Sequence, residues 1–219
     1  SEWTEFLNSI PDTNKTTNES EATRQTFASD NEFENIQVNL DATREFVKQI
    51  NFNEISKEEY DEIKFDGWPL LFTHYSRLLP VKIAISLLGN MMREQRTPVI
   101  NFNDFRARAY DLAEEISKKL TVYEKENKKT REEKISTGLP RPSLINEVTA
   151  KHALAEQRYK DRYFGKLKKS QDAGEPTFEG ALMALGVIKI FVKKKDVLIT
   201  LTDLGKKFHL LDNPIINGT

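Results

Sequence analysis

The residues of this chain that could do chemistry are few, and most are spaced against it. His74, His152 and His209 lie too far apart for any two to share a helix face, so the sequence offers no local metal pair. Glu58-Glu59, Glu114-Glu115 and Glu132-Glu133 are adjacent pairs. Neighbours along a helix point apart, so none makes a carboxylate dyad. Cysteine is absent, which excludes disulfides, thiolate metal sites, iron–sulfur clusters and cysteine nucleophiles. The 9 glycines are scattered as punctuation, with no phosphate-cradling loop and no nucleophile elbow. This inventory argues against an enzyme, a metal and a cofactor. His74, in an aromatic stretch, reads as a hydrogen-bonded core residue. His209, at the border of the last helix, reads as a surface residue.

The basic residues are better organised. Lys151, Arg158, Arg162, Lys166 and Lys169 recur at spacings of 7, 4, 4 and 3, which lets them align on one helix face. Lys193, Lys194 and Lys195 crowd into one short turn, with Lys189 just upstream. Like charges at a turn repel, so the fold alone has little use for them, although lysines also keep hairpin edges soluble. Ammonium groups bind phosphates as point charges and position a protein without reading bases. The net charge of −1 conceals a division. Residues 1–66 hold 16 acidic and 6 basic side chains, net −10. Residues 67–135 hold 9 and 13, net +4, and residues 136–219 hold 9 and 14, net +5. An acidic front and a basic back suggest a polyanion-binding region beside an acidic arm.

The elements that must position these groups can be read from periodicity. Trp3, Phe6, Leu7 and Ile10 form one face of a short helix that Pro11 ends, followed by a polar stretch from Asp12 to Asn31. This pattern suits a docking helix that lies in a groove, on a protein partner or on its own domain. Asp41 can cap a helix carrying Phe46, Val47 and Ile50. Ser56-Lys57-Glu58-Glu59 is a capping box, predicting a short helix with Tyr60 and Ile63. Leu78 to Met92 leaves almost no polar face, so it is predicted to be a core helix buried on all sides, or one shared across a homodimer. Asn103 is a candidate cap for a helix reaching Glu126, with Phe105, Ala109, Leu112, Ile116 and Leu120 inward. The charged run from Glu124 to Lys134 reads as solvated, and Gly138 to Pro142 as a domain boundary. A long helix is expected from Leu144 to Lys169, with Val148, Ala155, Tyr159 and Tyr163 inward. A further helix is expected from Pro176 to Leu185, with Phe178, Leu182 and Leu185 inward and Gly186 as its C-cap.

After Gly186 the period becomes strand-like. Ile188, Ile190 and Val192 alternate with Lys189, Phe191 and Lys193, Lys194 to Asp196 turns, and Val197, Ile199 and Leu201 return. Thr202 then caps a short helix with Leu204, Phe208 and Leu211. Ala184-Leu185-Gly186-Val187-Ile188, this hairpin, and Leu201-Thr202-Asp203-Leu204-Gly205 together resemble the winged-helix DNA-binding superfamily. The resemblance covers the C-terminal third. It implies a recognition helix before Gly186, a β-hairpin wing and a last helix opened by the Leu-Thr-x-x-Gly stretch. One departure stands out: the expected Pro176–Leu185 helix has no Arg, Lys, Asn or Gln with which to read base edges.

The expected fold is therefore mainly α: a helical body with a C-terminal winged-helix unit containing one small β-hairpin. An acidic arm over residues 1–35 precedes a helical domain over 36–135 and a winged-helix domain over 136–219. The expected function is a non-enzymatic DNA-binding protein, a transcriptional regulator or a structural subunit of a nucleoprotein assembly. It would hold double-stranded DNA through Lys151, Arg158, Arg162, Lys166, Lys169, Lys189, Lys193, Lys194 and Lys195. The alternative is an adaptor whose winged-helix unit binds protein, with Trp3, Phe6, Leu7 and Ile10 recruiting a partner. No apolar run approaches the roughly 20 residues that span a bilayer, and Ser1 to Glu5 lacks the features of a secretion signal. A cytoplasmic, nucleoid-associated location is expected.

Overall fold

The computed structural model describes residues 40–52, 55, 60–65, 78–141, 150–168 and 176–217. The docking residues Trp3, Phe6, Leu7 and Ile10, the capping box at 56–59, His74 and Lys169 lie outside the described residues. In chain order the elements are α1 (Leu40–Gln49), β1 (Asp61–Glu62), β2 (Lys64–Phe65), α2 (Leu79–Gln95), β3 (Ile100–Asn101) and α3 (Phe102–Glu126). They continue with α4 (Ala150–Tyr163), β4 (Lys166–Lys168), β5 (Thr177–Glu179), α5 (Ala181–Ala184), β6 (Ile188–Lys193), β7 (Asp196–Leu201), α6 (Asp203–Leu210) and α7 (Pro214–Asn217).

The apolar stretch Leu78–Met92 becomes α2, with Pro80 in its first turn, where a missing N–H costs nothing. Every residue from Pro80 to Met92 is buried. α1, α3, α6, β3 and β7 pack around it within the same chain. This removes the ground for a dimer across α2, because no apolar face is left over. Arg96 ends the helix in the left-handed conformation, φ 51°. α3 starts two residues earlier than expected. Asn101, not Asn103, is its cap, and its side chain accepts from the amides of Asn103 (2.9 Å) and Asp104 (3.2 Å). Asn103 supplies one of the free amides that needs a cap.

The hairpin forms with the expected alternation. β6 and β7 pair antiparallel from Ile188↔Leu201 to Lys193↔Asp196, leaving a two-residue turn of Lys194 and Lys195. It is not isolated. β3 pairs with β7 and β1 pairs with β6, giving a four-stranded sheet of order β1-β6-β7-β3. A second sheet, β2-β5-β4, has β2 parallel to β5. Residues 60–65 therefore cross from one sheet to the other, and Tyr60 and Ile63 are not helical. Their short amphipathic pattern gave way to two sheet edges that needed partners. Among the described residues helix predominates over strand, so the fold is mixed α/β.

Two expected helices are shorter than their patterns. The one predicted from Leu144 ends at Tyr163, and Lys166–Lys168 turn back as β4 to pair with β5. The one predicted over Pro176–Leu185 is a strand, Thr177–Glu179, followed by the single turn of α5. Gly165 (φ 102°) and Gly180 (φ 143°) explain both breaks. A Cβ on Gly180 would stand 2.4 Å from the Gly165 Cα. Only glycines allow the two chain segments to cross so closely in these conformations. Ala155, expected inward on α4, is exposed.

The main core joins Val47, Phe52 and Ile63 to α2 and α3, and also to Phe164, Phe178, Leu182, Ile190 and Leu201. The expected boundary at 135/136 thus does not separate two cores. The segment read as a domain boundary is docked: Leu139 is buried with Ile83, Ile116 and Ile216, and the Ser117 hydroxyl donates to the Pro140 carbonyl at 2.5 Å. Glu124, expected in solvent, is buried and accepts from the Ser136 amide (2.7 Å) and hydroxyl (2.8 Å).

Candidate nucleic-acid interface

Local backbone chemistry sets the tip of the β6–β7 hairpin. A two-residue connection between twisted antiparallel strands needs positive φ, and Lys194 supplies it at 60°. Lys193, Lys194 and Lys195 are all exposed there. Lys194 and Lys195 form no ion pair among the described residues. Lys193 places its Nζ 4.9 Å from the centroid of the Tyr60 ring, a cation–π contact. Tyr60 also packs on Phe191, ring centroids 5.7 Å apart, which buries the aromatic residue expected on the solvent-facing row of β6. Lys189 is half-buried, its Nζ 3.5 Å from Glu62 Oε2 on β1.

α4 is held by aromatic packing on one side. Tyr110 and Tyr159 stack edge to face at 5.7 Å, Tyr159 meets Phe164 at 5.6 Å, and Arg106 pairs with Asp161 at 2.6 Å. Arg158 and Arg162 each precede one of the inward tyrosines by one position, so both are exposed; neither forms an ion pair among the described residues. Lys151 lies on the same helix, with its side chain outside the described residues. Lys166 does not continue the stripe. It sits on β4, paired with Glu179 (3.1 Å) and Asp161 (3.7 Å), and Lys168 joins Glu179 at 2.6 Å. Burial raises the Glu179 carboxyl, but the hydrogen bonds from Lys168 and Lys166 outweigh it and hold the group below its usual range. These lysines are committed to the sheet. Of the residues expected to hold DNA, Lys194, Lys195, Arg158 and Arg162 are exposed and outside any ion pair among the described residues.

The short α5 presents Ala181, Leu182, Met183 and Ala184 and no hydrogen-bonding side chain. It cannot read a base edge.

A second polar cluster was not legible as such in the sequence. Lys82 stands within the buried face of α2 and donates to the carbonyls of Phe208 (2.9 Å), His209 (2.8 Å) and Leu211 (2.5 Å) at the end of α6. Burial, then the Arg44 charge, pushes Lys82 down to about 7. His209 is not a surface residue: it is 2% exposed, against Gly89, with Nδ1 3.3 Å from the Ile85 carbonyl. Burial and then the Lys82 charge push it down to about 4. The signal that could have found this cluster is a lone lysine in a stretch with almost no polar face, which must find acceptors.

An open groove of about 390 Å³, lined by Ile50, Ile55, Tyr60, Pro98 and Val99 among others, offers no acid–base pair. Among the described residues no three His, Asp or Glu side chains gather to hold a metal, and no helix is long and apolar enough to cross a membrane. Comparison of the chain with protein-family models, with curated proteins and with solved structures finds no match.

Proposed function

We propose that this chain is a non-enzymatic DNA-binding protein of winged-helix type, a regulator or a structural subunit of a nucleoprotein assembly. It grips the phosphate backbone of duplex DNA and reads little sequence. The observation that carries the reading is the wing tip: Lys193, Lys194 and Lys195, all exposed, on a tight turn of a strand pair braced from both sides. The arrangement around it supports the winged-helix reading. A core helix (α2), a short strand (β3) and a second helix (α3) precede the hairpin, and β3 pairs with β7 as its third strand. Exposed Arg158 and Arg162 supply further phosphate contacts. A side-chain-poor α5 makes binding tolerant of sequence. Such a role fits a cytoplasmic, nucleoid-associated protein.

The test is a gel shift with random duplex across a salt series. Wild-type affinity should fall steeply with salt as condensed counterions are released. Changing Lys193, Lys194 and Lys195 together to glutamine should weaken all duplexes alike and lower the log–log salt slope by roughly one per lost contact. Unchanged affinity and slope would remove the wing as the DNA-binding element. The absence of polar side chains on α5 is the observation that favours the adaptor reading, in which the same module binds protein. A chain that flows through heparin at low salt and shifts no duplex would put that reading first.

A further inference from the structure

We propose that β1 attenuates the wing: Glu62 occupies Lys189 in competition with the phosphate that lysine would otherwise meet. The inference rests on the DNA-binding reading above and names how that site is regulated from within the chain.

β1 is two residues long and pairs only at Asp61↔Val192 and Glu62↔Phe191. Its structural work is done by the neighbouring Ile63, which is buried in the core and donates its amide to the Ile190 carbonyl at 2.9 Å. That anchoring accounts for the strand's position but not for the acids it carries. Edge strands are usually guarded by lysine. Here the guard is an acidic strand laid beside a lysine-bearing one. Glu62 and Lys189 are diagonal neighbours across the pair, their side chains 41% and 32% exposed. A pair this open adds little to stability, because water screens it. Its consequence lies in binding. A carboxylate and a phosphate oxygen are the same kind of acceptor for an ammonium group, so Lys189 cannot serve both fully. The Glu62 charge also subtracts from the positive field at the hairpin.

The test is a two-by-two set: wild type, Glu62→Gln, Lys189→Gln and the double variant, each in a gel shift with random duplex across a salt series. Glu62→Gln keeps the side chain's shape and, at a site this exposed, the melting temperature. It should bind about threefold tighter at low salt, with a slope steeper by nearly one as Lys189 becomes a phosphate contact. Lys189→Gln alone should change affinity less than about twofold, and in its background the gain from Glu62→Gln should vanish. An equal gain in both backgrounds would reduce the effect to net charge and overturn the proposal. So would an unchanged Glu62→Gln affinity in a chain whose triple wing variant loses binding, a result that leaves the DNA reading standing. A wild-type chain that shifts no duplex overturns both readings together.

Discussion

Lys82 and His209 show how a polar group survives in an apolar interior. The carbonyls at the end of α6 carry the negative end of the helix dipole and have no partners within the helix. Lys82 reaches three of them, so helix end and buried ammonium satisfy each other. His209 lies against this charge, with its Nε2 unpartnered. Its pH behaviour follows from burial. With a folded value near 4 against an ordinary 6.5, the unfolded chain binds a proton between those limits that the folded chain refuses. The stabilising contribution of a neutral His209 is fully present above about pH 6.5 and is lost as pH falls toward 4, by about 3 kcal/mol in all. Urea midpoints should therefore drop between pH 7 and pH 4.5, and the drop should be smaller in His209→Gln. An equal drop in that variant would assign the acid sensitivity elsewhere.

The junction between the β6–β7 hairpin and α6 shows why a Leu-Thr-x-x-Gly stretch suits its place. Leu201 ends β7 in the core. Thr202 caps α6, its hydroxyl accepting from the Gly205 amide (2.9 Å) and donating to the Gly186 carbonyl (2.6 Å). Gly205 lets the first turn of α6 lie on the backbone of Val187: a Cβ there would stand 1.9 Å from the Val187 oxygen. Alanine normally improves a helix by up to about 1 kcal/mol over glycine. Here Gly205→Ala should reverse the sign and destabilise the chain by about 2–3 kcal/mol, because backbone rather than a movable side chain is in the way. Chemical denaturation measures it, and a neutral or stabilised variant would show that α6 can shift freely against the hairpin.

For the whole molecule, the question of assembly turns on α2. Its apolar circumference is the reason to expect a dimer, yet this chain covers it, and large apolar side chains exposed among the described residues are limited to Phe65, Val122 and Leu154. Scattered exposed residues of this kind do not make an interface. Light scattering at micromolar concentration should return a mass near 25 kDa; twice that mass would require an interface that α2 does not provide. The charge division also acquires a structural sense. Part of the acidic front, β1, lies beside β6 of the hairpin, so opposite charges far apart in sequence meet at one sheet edge.

What the sequence determined by itself is whatever depends on local period and local caps. α2, α3, the β6–β7 hairpin, the Thr202 cap and the lysines of its tip were legible because 3.6-residue and 2-residue repeats, and cap-to-amide bonds, span only a few positions. The tertiary structure decided the rest. β1, β2, β4 and β5 are two or three residues long, too short to show a period, and exist because distant partners complete their hydrogen bonds, as Lys64 does with Thr177. For the same reason the hairpin lysines could be found from sequence, but not what stands beside them. Glu62 beside Lys189 and Tyr60 beside Lys193 are separated by more than a hundred positions, and only the fold of the chain, burying Ile63 between two sheets, brings them into contact.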